Sequence, residues 1–122
     1  MNYSKKLNKC REEYPFNFWL QSYEEGIGYY STDHCLQAES IFDGLIESLI
    51  NIGEHAEEPH KVELFETAVK RLNLTREATP ELIETMEREE FCDLFDLIAI
   101  SAGLNPRNYG SGEGIASEWR AW

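Results

Sequence analysis

The apolar positions are densest over residues 89–103, where the pattern predicts a buried helix. Few polar residues interrupt this stretch, and a helix that is apolar on nearly all sides is one that other helices surround. Gly103 can take the left-handed conformation that ends a helix, and Pro106 cannot continue one. Because nothing within residues 81–102 breaks a helix, we predict one long element there, with a kink near Glu90 as the alternative.

A second broad apolar face predicts a long helix that runs from a cap at Ser31, Thr32 or Asp33 to about His55. The residues of this face recur at helical spacing, and they are Ala38, Ile41, Phe42, Leu45, Ile46, Leu49, Ile50 and Ile52. At a rise of 1.5 Å per residue, the helix would be about 33 Å long. Gly44 in its middle costs about 1 kcal/mol relative to alanine, which we explain by a close crossing with another helix.

Two shorter helices are predicted ahead of the long one. Residues 3–13 form the first, and Pro15 ends it because the residue before a proline is pushed out of the helical conformation. After the proline, apolar residues recur at the spacing of one helical face, and they are Phe16, Trp19, Leu20 and Tyr23. The alternation within residues 16–19 also fits a strand, and we prefer the helix.

The rest of the chain adds one more helix and a tail. A helix is predicted from Pro59 to about Asn73, and its inward-facing residues are Val62, Phe65, Ala68, Val69 and Leu72. Glycine and asparagine make residues 104–114 irregular, and residues 115–122 form a last turn or two of helix. The pattern predicts an all-α fold in one domain, residues 1–122, with a compact bundle of about four to five helices and an irregular Gly- and Trp-containing C-terminal tail, residues 104–122.

The composition of this 122-residue chain narrows its class. A hydrophobic fraction of 42% and an aromatic fraction of 12% are typical of a folded globule. We expect no secretory signal peptide, because no apolar run follows the basic N-terminal residues, and no transmembrane segment, because the most apolar stretches are too short or carry acids. The widely spaced Cys10, Cys35 and Cys92 fit a reducing compartment better than a disulfide framework, so we predict a cytoplasmic protein.

Charge is the strongest global feature, with a formal net charge of −12 that is unevenly spread. Residues 31–60 contain seven Asp or Glu and no Lys or Arg. Such a field disfavours nucleic acids and anionic membranes, which need a basic footprint, and it favours a basic protein partner. The alternative is an acidic surface that serves solubility alone.

The acids of residues 33–58 predict an acidic face on which a basic protein would dock, with electrostatic steering raising the association rate. The partner-binding residues predicted there are Asp43, Glu47, Glu54, Glu57 and Glu58. As a small, acidic, single-domain chain, the protein is similar in class to bacterial immunity proteins, which neutralise a toxin by covering its basic active site. That resemblance implies an antidote-like, non-enzymatic role, and the alternative is a face that is merely solvated.

The C-terminal tail carries the alternative site. Gly110, Gly112 and Gly114 superficially resemble a phosphate-binding loop, but the strand, helix and lysine that such loops need are absent from the pattern. Loops often carry function, and this one combines glycines with charged and aromatic side chains. For a small-ligand-binding or enzymatic domain, the predicted site residues are Arg107, Tyr109, Glu113, Trp119 and Arg120.

The remaining polar clusters predict no catalytic residue, metal site or cofactor. Three carboxylates share one helical stripe, which we interpret as the solvated edge of a buried helix, and they are Glu89, Asp93 and Asp96. The histidines lie near the two ends of the long predicted helix, at His34, His55 and His60. Cys92 lies in the most apolar segment and is interpreted as inert core, while Cys35 and its neighbour His34 point in different directions on a helix.

The sequence therefore leads to three hypotheses. The first is a non-enzymatic interaction protein that binds a basic protein through the acidic face. The second is a small-ligand or enzymatic site at the C-terminal tail. The third is a structural role, including a homodimer that pairs exposed aromatic side chains such as Tyr29 and Tyr30 in the loop of residues 26–30.

Overall fold

The fold is taken from a computed structural model, which describes residues 2–28 and 30–122. Within these ranges the chain forms five α-helices and no strand, which confirms the predicted all-α class. The helices are α1 (Tyr3–Lys9), α2 (Phe16–Glu24), α3 (Thr32–Ile52), α4 (Glu58–Ala78) and α5 (Thr85–Ser101). Short 3-10 turns join or follow them at Cys10–Glu13, Pro80–Leu82, Pro106–Asn108, Gly110–Gly112 and Ile115–Glu118.

The ends of α3 and α5 show how single residues set helix boundaries. The Ser31 hydroxyl accepts a hydrogen bond from the backbone N–H of His34, so Ser31 is the cap of α3. Helix α3 ends at Ile52, three residues before the predicted end at His55, because Gly53 takes φ +88°. Gly103, with φ +89°, ends α5 in the predicted way.

The core lies where α3 and α5 meet. The Phe42 ring of α3 lies 4.6 Å from that of Phe95 and 5.7 Å from that of Phe91, both on α5 (centroid distances). Helix α4 contributes Phe65, Val69 and Leu72 to the same core. The predicted burial of the 89–103 stretch is confirmed for one face of α5, whose fully or nearly fully buried residues are Phe91, Leu94, Phe95, Ile98 and Ala99. The expectation that other helices surround this helix is wrong, because Ile100 on another face is 61% exposed.

Helix α2 confirms the helical alternative for residues 16–19 and excludes the strand. Helix α4 extends to Ala78, five residues beyond the predicted end at Asn73. The close helix crossing that we used to explain Gly44 is wrong. A Cβ atom built on Gly44 would have the Arg71 Nη1 atom, at 3.9 Å, as its nearest neighbour.

The prediction of one long element over residues 81–102 is also wrong. The chain forms the 3-10 turn Pro80–Leu82, becomes extended at Glu84 and only then begins α5 at Thr85. The backbone N–H of Glu84 donates to Glu87 Oε1 at 3.1 Å, as one half of a capping box that starts the helix. The predicted kink near Glu90 is absent, because the break comes earlier.

The aromatic loop before α3 differs from its prediction as well. Tyr30 is only 5% exposed, and its hydroxyl donates to the Leu82 carbonyl oxygen at 2.7 Å. Tyr29 lies outside the described residues. The proposed dimer contact through Tyr30 therefore has no exposed ring to use, because that side chain joins the loop to the turn before α5.

The tail, residues 104–122, is irregular as predicted, although residues 115–122 form one 3-10 turn at Ile115–Glu118 in place of α-helix. Asn73 of α4 holds its end: the Asn73 Nδ2 atom donates to the Trp119 carbonyl oxygen, and the Ala121 N–H donates to Asn73 Oδ1, each at 2.9 Å. Asp96 of α5 holds its middle, because Asp96 Oδ1 accepts from the Ile115 N–H at 3.0 Å.

Candidate functional site

The five residues of the predicted acidic face fall into two groups with different surroundings. Asp43 and Glu47 lie in the middle of α3. Glu54, Glu57 and Glu58 lie between the end of α3 and the start of α4, and we call these three the acidic turn. Glu54 follows Asp43 by eleven positions of mostly helical chain, which is about 16 Å at the helical rise.

The carboxylates in the middle of α3 have cationic and phenolic partners. Arg11 forms an ion pair with Asp43, and its Nη2 atom lies 3.8 Å from Glu47 Oε1. The Tyr14 hydroxyl donates to Asp43 Oδ1 at 2.8 Å. Burial raises the pKa of Tyr14 above its ordinary value, and the hydrogen bond to Asp43 raises it further. The charge of Asp43 is therefore largely engaged within the molecule.

The acidic turn, by contrast, is exposed at all three glutamates. Within residues 2–28 and 30–122, no Lys or Arg nitrogen lies within 4.0 Å of their carboxylates. The three negative charges are close in sequence, and they project from a turn whose ends are fixed by two helices. This is the part of the predicted face that is free to meet a partner.

A buried lysine holds the backbone of the acidic turn in place. Lys61 is only 6% exposed, and its Nζ atom donates to the carbonyl oxygens of Glu54, at 2.7 Å, and Ala102, at 2.8 Å. It also lies 5.2 Å from the centroid of the Tyr3 ring. One ammonium group thus joins α1, the turn after α3, α4 and the end of α5, where the carbonyl ends of helices favour a cation.

Sequence reasoning missed Lys61 as a structural residue. The signal was present, because Lys61 precedes Phe65 by four residues and occupies the same inward-facing spacing as Phe65, Ala68 and Leu72. A lysine at such a position is ordinarily assigned to the surface, since lysine is almost never fully buried unless its ammonium has partners.

The acidic turn and the predicted tail site meet at one contact. The Tyr109 hydroxyl donates to Glu58 Oε1, so a residue of each predicted site lies in the same place. Burial raises the pKa of Tyr109 to about 12, and the hydrogen bond to Glu58 and the charges of Glu58 and Glu118 act in the same direction. Tyr109 therefore orients one of the three glutamates of the acidic turn.

The other predicted tail residues lie apart from this contact or are bonded within the tail. Arg107 is exposed and lines a cavity of about 370 Å³ beside Asp96 and Leu104. Glu113 is exposed. The Arg120 Nε atom donates to Ser117 Oγ at 3.1 Å, and its guanidinium carbon lies 5.6 Å from the Trp122 ring.

Trp119 is half-buried, and its carbonyl oxygen holds the tail to Asn73. The glycine-rich loop is bonded internally as well, since the Gly110 N–H donates to Glu118 Oε1 at 2.6 Å. A phosphate group would have to displace that carboxylate from the loop. The tail is thus built mainly to pack on α4 and α5.

The carboxylate stripe on α5 is only partly solvated, which corrects our interpretation of it. Glu89 and Asp93 are exposed, but Asp96 is half-buried and accepts the hydrogen bond from Ile115 described above. Burial raises the pKa of Asp96, against the opposing effect of that hydrogen bond. Asp96 is an anchor for the tail.

The remaining candidate chemistry stays unassembled. Within the part of the chain that the structure describes, no three His, Cys, Asp or Glu side chains are placed to hold a metal ion. The three cysteines are free, and burial raises the pKa of each thiol above its ordinary value. Cys92 is half-buried against the core. Thiols with raised pKa values are poor nucleophiles near neutral pH.

Comparisons with protein-family models, curated proteins and solved structures gave no match to this chain. No helix among the described residues combines the length and the apolar character needed to cross a bilayer.

Proposed function

We propose that this protein is a non-enzymatic interaction protein that binds a basic protein partner through the acidic turn. The observation that carries the proposal is a contrast in ion pairing: Asp43 is paired with Arg11, whereas the exposed carboxylates of the acidic turn have no Lys or Arg nitrogen within 4.0 Å among the described residues. An antidote-like role, in which the acidic turn covers a basic site on the partner, is the form of this function that we favour.

The hydrogen bonds of Lys61 support the proposal, because they hold the backbone of the turn in a defined conformation before any partner arrives. Less conformational entropy is then lost on binding than with a flexible acidic loop. Tyr109 adds to this order by bonding Glu58. Like charges carried on one turn are suited to steering an oppositely charged partner into place.

The chemistry of the cysteines supports the non-enzymatic part of the proposal. Each thiol has a raised pKa, so none is activated as a nucleophile. Free thiols also persist best in a reducing compartment, which supports our proposal of a cytoplasmic location.

A capture experiment with matched variants tests the proposal. The turn variant E54Q/E57Q/E58Q and the control variant E24Q/E25Q/E81Q remove the same number of negative charges, all from exposed positions. Each protein is immobilised, exposed to lysate and washed at rising salt. We expect a basic protein that the wild type and the control retain, that the turn variant loses, and that salt releases.

Retention of every captured protein by the turn variant would contradict the proposal. The proposal would also be contradicted if no basic protein were retained by both the wild type and the control variant. A protein lost equally from both variants would indicate a response to net charge, and the acidic turn would then have no special role.

A further inference from the structure

A small cavity lies between α3 and α4, and its lining includes no residue of the acidic turn or of the tail. Its volume is about 100 Å³, and each of the two helices contributes four lining residues. We call it the α3–α4 cavity. An apolar cavity of about 150 Å³ can hold a benzene molecule, so the α3–α4 cavity suits the body of a still smaller ligand.

Gly44 keeps part of this space open. It lines the cavity in the middle of α3, where glycine favours a helix less than any other residue except proline. A Cβ atom built on Gly44 would have Arg71 Nη1 as its nearest neighbour, at 3.9 Å. The fold would therefore accept an alanine there, but the methyl group would occupy the space beside the guanidinium.

Arg71 brings an unpaired positive charge to the cavity. It is exposed, and in residues 2–28 and 30–122 no carboxylate lies within 4.0 Å of its guanidinium. Thr67 and Thr75 occupy the positions four residues before and after it, where an acid on the same helix would pair with it. Arg71 also lines a second cavity, of about 410 Å³, and neither cavity has an Asp or Glu among its lining residues.

The acids closest to Gly44 on α3 point to a different partner. Asp43 forms an ion pair with Arg11, and Glu47 Oε1 lies 3.8 Å from the same arginine. In a chain with 23 acidic and 11 basic residues, Arg71 is thus left free of a carboxylate partner among the described residues. Its guanidinium can bind an anion from outside.

The floor of the α3–α4 cavity is apolar. Ile41, Leu45 and Ala68 are buried, and Leu64 is half-buried. A phosphate group, which is polar on every side, would place oxygens against this floor without hydrogen-bond partners. The cavity instead suits a ligand that has a charged group at one end and an aliphatic body at the other.

We propose that the α3–α4 cavity binds a short aliphatic carboxylate. The carboxylate pairs with Arg71, whose planar guanidinium can donate two parallel hydrogen bonds to it. A chain of about three carbons then lies on the apolar floor, in the space beside Gly44. Small-ligand sites commonly combine a mostly apolar lining with a few polar groups that fix the orientation of the ligand. The inference does not depend on the proposed function, because the acidic turn takes no part in it.

Three probe molecules test the two halves of the site separately. Butyrate has the carboxylate and the aliphatic chain, acetate has the same carboxylate on a shorter chain, and butyramide has the same chain with an uncharged head. Each is added to the full chain while NMR follows the backbone amides of Gly44, Ser48 and Ala68 and the Nε–H of Arg71. The ionic strength is held constant, because the net charge of −12 repels every anion.

We expect butyrate to give saturable shifts with a dissociation constant on the order of 1 mM, as its few heavy atoms allow. The constant should be about ten-fold lower than that of acetate, because the longer chain removes more apolar surface from water. It should be about five-fold lower than that of butyramide, because the uncharged amide cannot form the ion pair with Arg71.

Variants in matched pairs locate the site. R71Q should remove the preference for butyrate over butyramide, and R76Q, at another exposed arginine of α4, should keep it. G44A should weaken butyrate binding about five-fold, because its methyl group takes space that the ligand needs. The midpoint of thermal unfolding should stay the same or rise in G44A, since alanine favours a helix more than glycine. N51A makes a similar helix-favouring change at an exposed position of α3 outside the cavity lining and should leave binding unchanged.

Butyrate that bound no more tightly than acetate or butyramide would overturn the inference. Shifts that map outside the α3–α4 cavity, or shifts that do not saturate, would lead to the same conclusion. Undiminished binding of butyrate to G44A would also overturn it, because the space beside Gly44 would then have no part in binding. An equal loss of preference in R71Q and R76Q would show a response to net charge alone.

Discussion

The middle of α3 and the acidic turn contain the same kinds of residues within one acidic stretch, yet their carboxylates have different partners in the fold. In the middle of α3, Arg11 and Tyr14 engage Asp43 across the surface of the bundle. At the acidic turn, Glu54 and Glu57 have no Lys or Arg within 4.0 Å in the described residues. Lys61, which lies beneath the turn, bonds backbone carbonyl groups and not these carboxylates.

This difference shows that a count of charges along the sequence is not enough to locate an acidic surface. Arg11 lies 32 positions from Asp43 and reaches it only because α1 packs on α3. A carboxylate that is paired within the molecule offers little to a partner, since its field is partly neutralised. Part of the acidic stretch is therefore neutralised within the molecule, and the negative surface is smaller than the stretch.

The largest effect that we predict comes from replacing the lysine under the acidic turn. Lys61→Met leaves the carbonyl oxygens of Glu54 and Ala102 without a donor, so we expect the free energy of unfolding to fall by about 2–4 kcal/mol. Urea denaturation measures the loss. The control Lys70→Met removes an exposed lysine paired with Glu66 and should cost below about 0.5 kcal/mol.

If Lys61→Met and Lys70→Met lowered the free energy of unfolding equally, the claim that Lys61 holds the backbone of the acidic turn would be contradicted. A fully stable Lys61→Met protein that still bound its partner would also show that the turn needs no such anchor.

A smaller effect is expected in the middle of α3. Asp43→Asn removes the ion pair with Arg11 but keeps an oxygen that can accept from Tyr14, so the expected loss is about 1 kcal/mol in the free energy of unfolding. Urea denaturation of the wild type and the variant measures the loss. An unchanged free energy of unfolding would mean that the ion pair with Arg11 contributes nothing to the fold in solution.

Tyr109→Phe should lower the free energy of unfolding by less than about 1 kcal/mol at neutral pH, since the hydrogen bond to Glu58 is exposed. The folded pKa of Tyr109 is raised from an ordinary value of 10.0 to about 12, so its contribution is complete below pH 10 and is lost as the pH rises toward 12. Denaturation of wild type and variant at pH 8, 10 and 11.5 checks this. A difference that grew with pH would contradict the sign.

The smallest effect on stability is expected at the acidic turn itself. E54Q/E57Q should change the free energy of unfolding by less than about 0.5 kcal/mol, because both side chains are exposed and unpaired. Thermal denaturation of this variant beside D43N/E47Q provides the comparison, as the two variants lose the same number of charges. A larger loss in E54Q/E57Q would mean that these glutamates serve the fold.

Helix positions were largely predictable because apolar spacing is a local property of the sequence. Helix α2 and helix α3 follow that spacing, and Ser31 caps α3 as its residue type suggests. The break before α5 was not predictable from spacing alone. Glu84 has an extended conformation and forms the capping box at the start of α5, and the preceding Leu82 and Ile83 are buried in the core.

Only the negative charge of the candidate site could be predicted from the sequence. The sequence shows the acids of the turn, but it cannot show that Arg11 reaches Asp43, that Tyr109 reaches Glu58, or that Asp96 holds the tail. Each of these contacts joins residues far apart in the chain, and each depends on how helices pack. Local patterns in a single sequence do not predict such contacts, because the contacts depend on packing between distant parts of the chain.

The affinity of the captured basic partner for two matched variants tests the account most directly. E54Q/E57Q and D43N/E47Q carry the same net charge, so isothermal titration calorimetry at one salt concentration isolates the position of the charges. We predict that E54Q/E57Q weakens binding about ten-fold, as the loss of two close charge pairs would, and that D43N/E47Q leaves it within about two-fold. Equal weakening by both variants, or a larger loss from D43N/E47Q, would contradict the claim that the acidic turn is the binding surface.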